Sequence, residues 1–178
     1  MKYKERDPEK RMQYLRELRR IIRERGSKNI VYIDESGFDS TSFRPHGWGK
    51  RGKIVHGEQS GQRRPRTSLI AAHRKNSFIA PLLFSGTADT ELVNAWFESF
   101  LVPELRPSST VIFDNARFHN KGLLTKIAQK HGHFILFLPP YSPDFNPIEQ
   151  DFATIKRIRQ FKPDNTTLDE IIKTYNCY

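Results

Sequence analysis

Asn29-Ile-Val-Tyr-Ile-Asp-Glu-Ser36 and Thr110-Val-Ile-Phe-Asp114 are two short runs of β-branched and aromatic residues, and each run leads into an aspartate. Such runs predict buried β-strands, here ending at Asp34 and Asp114. Burying a carboxylate among apolar neighbours is costly, so each aspartate should face solvent or a bound cation. Open α/β sheets bind ligands at the carboxyl ends of their strands, which places both carboxylates at one crevice. Either residue could instead be a turn aspartate that accepts a hydrogen bond from the following backbone.

Further strands and helices follow from patterns on either side of these two strands. Strand-like runs cover residues 67–72, 78–84 and 133–138, the first two being joined by a hairpin turn over residues 73–77. Amphipathic or capped stretches predict helices over residues 7–25, from Asp89 onward, over residues 121–130, from Asn146 onward and around residues 168–175. In the helix that Asp89 opens, the spacing predicts one apolar row formed by Leu92, Trp96 and Phe100.

The predicted order is β-β-β-α-β-α-β-α, with three consecutive strands before strands and helices alternate. This order indicates an α/β protein whose mixed five-stranded sheet, three antiparallel strands and then parallel ones, is flanked by helices. It is the topology of the ribonuclease H-like fold. The chain then divides into a basic N-terminal helix or linker, residues 1–28, and a ribonuclease H-like domain, residues 29–178, with a basic insertion at 37–66. The N-terminal helix could pack on the domain, join it to an upstream module or lie on DNA.

Basic residues are unevenly distributed along the 178 residues, which include 30 Lys and Arg against 20 Asp and Glu. The formal charge is +10 and the isoelectric point is near 9.9. Residues 1–26 hold ten basic and five acidic groups, and residues 44–75 hold nine basic groups and one acidic group. Such blocks suit a surface that neutralises phosphates, although they would equally keep a small protein soluble. Cys177 is the only cysteine and no apolar run approaches bilayer length, so we expect a reducing, cytoplasmic setting without membrane insertion.

Glu149 is the third acidic residue of interest, and it lies in the first turn of the helix that Asn146 and Pro147 are predicted to open. The spacing Asn-x-x-Glu also matches a capping box, in which the glutamate bonds back to the cap amide and has no catalytic role. The strand order nevertheless brings this helix to the crevice of Asp34 and Asp114. Three close carboxylates repel one another by about 4 kcal/mol per pair at an effective dielectric of about 20, so a cation belongs between them.

Magnesium is the cation that suits such a cluster, because it is hard, binds carboxylate oxygens and keeps water and phosphate as its other ligands. Two Mg²⁺ ions about 4 Å apart would activate an attacking oxygen and stabilise a leaving oxygen, which is chemistry that cuts phosphodiesters. Mn²⁺ is the expected substitute.

Three stretches of the sequence resemble the DDE transposases of the mariner superfamily and their bacterial insertion-sequence relatives. They are Tyr32-Ile-Asp-Glu-Ser36, Val111-Ile-Phe-Asp-Asn-Ala-Arg-Phe-His119 and Leu138-Pro-Pro-Tyr-Ser-Pro-Asp-Phe-Asn-Pro-Ile-Glu149. The 34 residues between Asp114 and Glu149 are also a spacing like that of the family. The resemblance implies that Asp34, Asp114 and Glu149 bind the catalytic metals, that water cuts DNA at the element's end, and that the freed 3′-hydroxyl attacks target DNA.

The same resemblance suggests roles for residues around the three carboxylates. Asn115 and His119 match family positions beside the second aspartate, where they could orient a carboxylate or contact a phosphate, although a structural turn and a helix cap explain them equally well. Glu35 also matches, but strand alternation turns it away from Asp34, so we expect a minor role. Trp48 either grips DNA or anchors its loop to the core. With Trp48, the candidates for DNA binding are Arg44, Lys50, Arg51, Lys53, Arg63, Arg64, Arg66 and Lys156.

The resemblance also implies partners. Enzymes of this family join two transposon ends to target DNA, so DNA and a homodimer are expected, in the cytoplasm and associated with the bacterial nucleoid. Helix-turn-helix modules precede the catalytic domain in the family, whereas about 28 residues precede the first strand here. We therefore expect a second reading frame joined by frameshifting to a first that encodes a separate N-terminal helix-turn-helix module, a truncated copy, or an isolated fragment. Two alternatives stay open: another nuclease of ribonuclease H-like fold, and a DNA-binding remnant that has lost activity.

Overall fold

A mixed five-stranded sheet forms the centre of the fold. The structure is a computed structural model that describes residues 4–39, 48–54, 56, 66–116, 118–163 and 165–176. The strands are β1 (Ile30–Phe38), β2 (Thr67–Arg74), β3 (Ser77–Ser85), β4 (Thr110–Phe113) and β5 (Phe134–Phe137), in the spatial order β3-β2-β1-β4-β5. β1, β2 and β3 pair antiparallel, whereas β4 runs parallel to β1 and β5 parallel to β4. This order confirms the predicted sheet of three antiparallel strands followed by parallel ones.

Helices cover both faces of the sheet. They are α1 (Pro8–Arg25), α2 (Thr90–Trp96), α3 (Lys121–Lys130), α4 (Ile148–Phe161) and α5 (Leu168–Asn176). Because side chains alternate along a strand, Val31 and Ile33 of β1 pack with α2 and α3, whereas Ile30 and Phe38 pack toward α1, α4 and α5. No helix of the described residues is both long and apolar enough to cross a membrane.

The N-terminal helix α1 packs on the sheet, which was one of the three interpretations of this basic segment. Asp7 begins it by accepting hydrogen bonds from two amides of the first turn, and Gly26, with φ 81°, ends it. Tyr14 and Ile21 are its buried residues, and they pack in a core cluster with Ile30. Most of the arginines of α1 are exposed, among them Arg16, Arg19, Arg20 and Arg23.

The first strand is longer than expected. β1 continues to Phe38 because β2 pairs with it along its whole second half, so the prediction that this strand ends at Asp34 was wrong. Its parallel pairing with β4, in contrast, stops at Tyr32, and β4 itself ends at Phe113. Beyond Tyr32 the two strands separate, and a crevice opens between them.

The hairpin between β2 and β3 is tighter than expected. The strands pair as far as Arg74 and Ser77, so the turn contains two residues instead of the predicted five at 73–77. Lys75 has a φ of 58°, and a left-handed residue lets a two-residue turn follow the twist of the strands. His73 consequently lies within β2.

The helix opened by Asp89 also changes form before it ends. α2 continues as a π-helical turn, Phe97–Leu101, which adds a residue to the turn and rotates the following side chains. Leu92 and Trp96 therefore do not share their row with Phe100, which is 52% exposed, and the predicted row was wrong at that position. Leu101 is buried instead.

Candidate active site

The three predicted catalytic carboxylates line one cavity. It has a volume of about 780 Å³ and lies where β1 and β4 separate. Asp34 reaches it from β1, Asp114 from the residue after β4, and Glu149 from the first turn of α4. Its other walls include the loop of residues 138–143.

Asp34 and Asp114 each accept one local backbone hydrogen bond. The amide of Glu35 donates to Asp34 Oδ1 over 2.8 Å, and the amide of Ala116 donates to Asp114 Oδ1 over 3.0 Å. The turn-type bonds considered from the sequence are thus present. A carboxylate has lone pairs beyond one such bond, so these contacts orient each side chain and leave capacity for a ligand in the cavity.

The start of α4 differs from the prediction. Pro147 occupies the cap position and no side chain caps the helix, so the prediction of Asn146 as N-cap was wrong. The alternative of a capping box for Glu149 is not formed either. Asn146 is buried and donates Nδ2 to the carbonyl of Ile33 over 3.2 Å instead. Buried backbone carbonyls are almost always hydrogen-bonded, and the side-chain amide of Asn146 supplies the donor for the carbonyl of Ile33 in β1. The bond ties the helix of Glu149 to the residue that precedes Asp34.

Asp34 lies in surroundings that disfavour its negative charge. Burial, followed by the nearby carboxylates of Glu35, Glu149 and Asp114, raises the pKa of Asp34 from 3.8 to about 8. A divalent cation would supply the positive charge that this group lacks.

His119 connects two of the acidic residues. Its Nδ1 lies 3.1 Å from Asp114 Oδ1 and its Nε2 lies 3.4 Å from Glu35 Oε1, and its side chain is only 2% exposed. Both contacts have ion-pair distance without hydrogen-bond angles. Burial alone would lower the pKa of His119, but Asp114 and Glu35 outweigh it and raise this pKa from 6.5 to about 9. Of the alternatives left open for His119, the structure shows contact with a carboxylate.

His119 also changes the charge state of its partner. Burial would raise the pKa of Asp114, but His119, the amide of Ala116 and Lys121 together hold it below its usual range. Asp34 and Asp114 therefore have pKa values shifted in opposite directions within one cavity.

Glu35 and Asn115 lie beside this arrangement. Glu35 is not among the residues that line the cavity, as strand alternation predicted, and it contacts His119. Asn115 lines the cavity and its Oδ1 accepts a hydrogen bond from Lys121 Nζ. Lys121, a cation at the cavity wall, was missed in the sequence because a lysine in the first turn of a helix is an ordinary surface residue.

The candidates for DNA binding that the structure describes lie at the surface. Trp48 is fully exposed, so it does not anchor its loop to the core. Arg66 lies over Gly37, where any Cβ would meet its guanidinium, and Lys156 Nζ is 5.5 Å from the ring centroid of Phe38. The basic candidates in the described residues are all exposed, namely Lys50, Arg51, Lys53, Arg66 and Lys156. Outside the described residues lie Arg44, Arg63 and Arg64.

The donor set of the cavity suits a hard divalent ion. Carboxylate oxygens of Asp34, Asp114 and Glu149 face it, and no cysteine lies among them. Among the residues described here, however, no three acidic, histidine or cysteine side chains are arranged closely enough to hold an ion. The carboxylates thus share a cavity without forming a complete coordination shell.

Comparison with known proteins identifies relatives of the sequence and of the fold. The family model of the DDE superfamily endonucleases matches residues 29–172, whereas no curated protein matches. The fold is similar to the "Mos1 transposase paired-end complex with left transposon end", with a TM-score of 0.78 and 15% identity over 99% of this chain and 56% of that chain.

Two further Mos1 structures contain divalent metals. The mariner paired-end complex with Mn has a TM-score of 0.77 and 16% identity, covering 99% of this chain and 56% of that chain. The paired-end complex with Mg has a TM-score of 0.64 and 16% identity, covering 97% of this chain and 61% of that chain. The chain spans about half the length of these structures. At this identity the similarity establishes the ribonuclease H-like fold.

Proposed function

We infer the function from one premise: this chain belongs to the DDE superfamily endonucleases, whose family model matches most of its length. We propose that it is the catalytic domain of a DNA transposase, a Mg²⁺-dependent endonuclease that also transfers DNA strands. The observation that carries this proposal is the single cavity lined by Asp34, Asp114 and Glu149.

The carboxylates of Asp34, Asp114 and Glu149 would hold two Mg²⁺ ions, or Mn²⁺ in their place. When bound, such a pair would activate the attacking oxygen and stabilise the leaving one. In the first step a water oxygen bonds to a phosphorus at the transposon end, and the bond from that phosphorus to the 3′ oxygen breaks. The freed 3′-hydroxyl then attacks a phosphodiester of target DNA, forming one P–O bond as another breaks.

Residues around the carboxylates support this chemistry. His119, held between Asp114 and Glu35, fixes the second aspartate in place. Lys121 is a cation at the wall of the cavity, where it would meet a phosphate of the bound strand. Both residues act by position and charge, and neither forms a covalent bond to DNA.

The partners of this chain are proposed on the same premise. One of the Mos1 structures of similar fold is a paired-end complex of the transposase with the left transposon end, and its chain is longer than this one. We propose that transposon-end and target DNA bind across the basic surface, that two copies of the chain act together, and that a separate helix-turn-helix module recognises the ends.

Metal-dependent nicking of labelled DNA tests the proposal. Wild-type protein should nick only with Mg²⁺ or Mn²⁺, and Glu149→Ala should lose more than the roughly 10- to 100-fold typical of a residue outside the coordination shell. Glu91→Ala is the matched control, because it removes an exposed glutamate from α2, which lies on the other face of the sheet from α4. This variant should nick DNA as wild type does.

Two outcomes would contradict the proposal. Equal nicking by wild type and Glu149→Ala would remove the carboxylate cavity from the reaction. DNA binding that is sensitive to salt but never accompanied by nicking would identify a non-catalytic remnant.

A further inference from the structure

We propose that Arg11 of α1 is a positioning residue of the active site, which fixes the loop of residues 139–146 and thereby holds Glu149 toward Asp34. The proposal rests on the proposed function for its catalytic consequence. It concerns a residue of the N-terminal helix, outside residues 29–172 that the family model matches.

Arg11 makes four contacts with three residues of this loop, Ser142, Asp144 and Phe145. Its Nη1 donates to Ser142 Oγ over 2.7 Å and to Asp144 Oδ1 over 3.0 Å, and its Nη2 donates to Asp144 Oδ2 over 2.6 Å. The guanidinium carbon also lies 3.8 Å from the centroid of the Phe145 ring. Planar guanidinium geometry allows the two-pronged bond and the stacking together, which a lysine ammonium does not.

The environment of this contact distinguishes it from an ordinary surface ion pair. The Arg11 side chain is 15% exposed, so solvent screens only part of the interaction, whereas Asp144 is 51% exposed. The Arg11 guanidinium also holds the pKa of Asp144 below its usual range. Tyr14, one turn further along α1, stacks on Phe145 with ring centroids 5.5 Å apart. Helix and loop are therefore joined by both polar and aromatic contacts.

The loop that Arg11 holds leads directly into the helix of Glu149. Residues Pro143–Phe145 form one 3₁₀ turn, in which the amide of Asn146 donates to the carbonyl of Pro143 over 2.8 Å. Asn146 then bonds to the carbonyl of Ile33, next to Asp34. Since no side chain caps α4, the position of its first turn depends on this loop.

A second cavity lies behind Glu149, and this makes the position of the loop consequential. It has a volume of about 420 Å³ and lies between α1 and the start of α4. Glu149 and Asn146 line both this cavity and the carboxylate cavity. Asn146 and Glu149 thus have open space on two sides. A loop released from Arg11 therefore has room to shift and to carry Glu149 away from Asp34.

The test compares two variants that break the contact from opposite sides with one that does not. Arg11→Ala removes the guanidinium and Asp144→Asn removes the charge that it binds. Arg16→Ala removes an exposed arginine from the same helix and controls for lost positive charge. Each protein is compared with wild type by thermal unfolding, by hydrogen exchange of residues 138–147, by calorimetric Mn²⁺ affinity and by the kcat and KM of nicking.

We expect Arg11→Ala and Asp144→Asn to exchange faster in residues 138–147, to bind Mn²⁺ more weakly, and to lose about 10- to 100-fold in kcat, the scale of a misplacement of about 1 Å. KM for DNA should change by less than about 3-fold, because a positioning residue acts on the step after binding. The double variant should be no worse than the single ones, since both remove the same contact. Arg16→Ala should resemble wild type in all four measurements.

Unchanged exchange in residues 138–147 would overturn the proposal, because the loop would not depend on Arg11. A loosened loop with unchanged Mn²⁺ affinity and kcat would overturn it as well, because α1 would then only pack. If wild type fails to nick DNA, the proposed function fails. Hydrogen exchange and Mn²⁺ affinity, measured separately, would then still show whether Arg11 positions the loop.

Discussion

At the scale of single residues, the surroundings of Asp34 make the metal-free protein sensitive to pH. Burial and neighbouring carboxylates raise the pKa of Asp34 from 3.8 to about 8. Between these values the folded protein holds a proton that the unfolded chain has released, so the proton stabilises the fold. This stabilisation is lost as the pH rises from about 4 to about 8, and no further loss follows above that range.

Asp34→Asn should remove this dependence, because an amide stays neutral at every pH. In EDTA we expect the melting temperature of the variant to exceed that of wild type at about pH 9 and to equal it at about pH 3, where Asp34 of wild type is protonated in both the folded and the unfolded chain. Circular dichroism melts across this range measure the difference. A difference that is the same at both ends of the range would contradict the assignment.

The three carboxylates could be identified from the sequence because each stands in a local pattern that constrains it. Asp34 and Asp114 follow apolar strands, and Glu149 follows an Asn-Pro helix start. The contacts of His119 could not be predicted, because they depend on where the fold places this side chain relative to Glu35 of β1 and to Asp114 after β4. Periodicity along a strand gives the face of a side chain, but not what another loop brings against it.

At the scale of secondary structure, the C-terminal helix α5 completes one core. Ile171 is 1% exposed and packs in a cluster with Phe152 of α4 and Phe78 of β3. Tyr175 of α5 also donates its hydroxyl to Asp151 of α4 over 2.5 Å. α5 therefore supports the helix that carries Glu149 from behind.

Ile171→Ala should destabilise the protein by about 2–5 kcal/mol, the cost of truncating a large buried aliphatic side chain. Urea unfolding followed by circular dichroism measures this as a lower midpoint with an unchanged slope. Lys173→Ala, on an exposed face of the same helix, is the control and should leave the midpoint where it is. A midpoint that does not move in Ile171→Ala would show that α5 contributes little to the core.

Element type could be predicted along most of the chain, whereas several element ends could not. The hairpin at Lys75 closes in two residues because one residue adopts a left-handed conformation that lysine seldom takes. The π turn after Trp96 leaves Phe97 and Leu101 buried, and the Asn146 side chain bonds to the carbonyl of Ile33. At Asn146 a contact with a residue more than one hundred positions away in the chain outweighed the local preference for an N-cap.

At the scale of the whole molecule, positive charge should govern DNA binding. Because the formal charge is +10, the proposed binding to DNA should gain its affinity mainly from counterion release and should weaken steeply with salt. Arg51→Ala should reduce the slope of log affinity against log salt by about 0.9, the contribution of one phosphate contact. Fluorescence anisotropy with a labelled duplex at several salt concentrations measures the slope.

Lys126→Ala removes an exposed lysine from α3, on the opposite side of the sheet from α1 and α4, and it is the control for that measurement. Its slope should match wild type. A slope that falls equally in both variants would mean that DNA binds without a preferred face of the domain.

The two tryptophans of the chain differ completely in exposure, since Trp48 is 101% exposed and Trp96 is 1% exposed. Trp96 also donates its indole N–H to the carbonyl of Ala80 over 2.9 Å. An indole in water emits at longer wavelength than one in apolar surroundings, and a dissolved quencher reaches only the former. The native protein thus carries two separable optical reporters, one for events at the insertion and one for the integrity of the core.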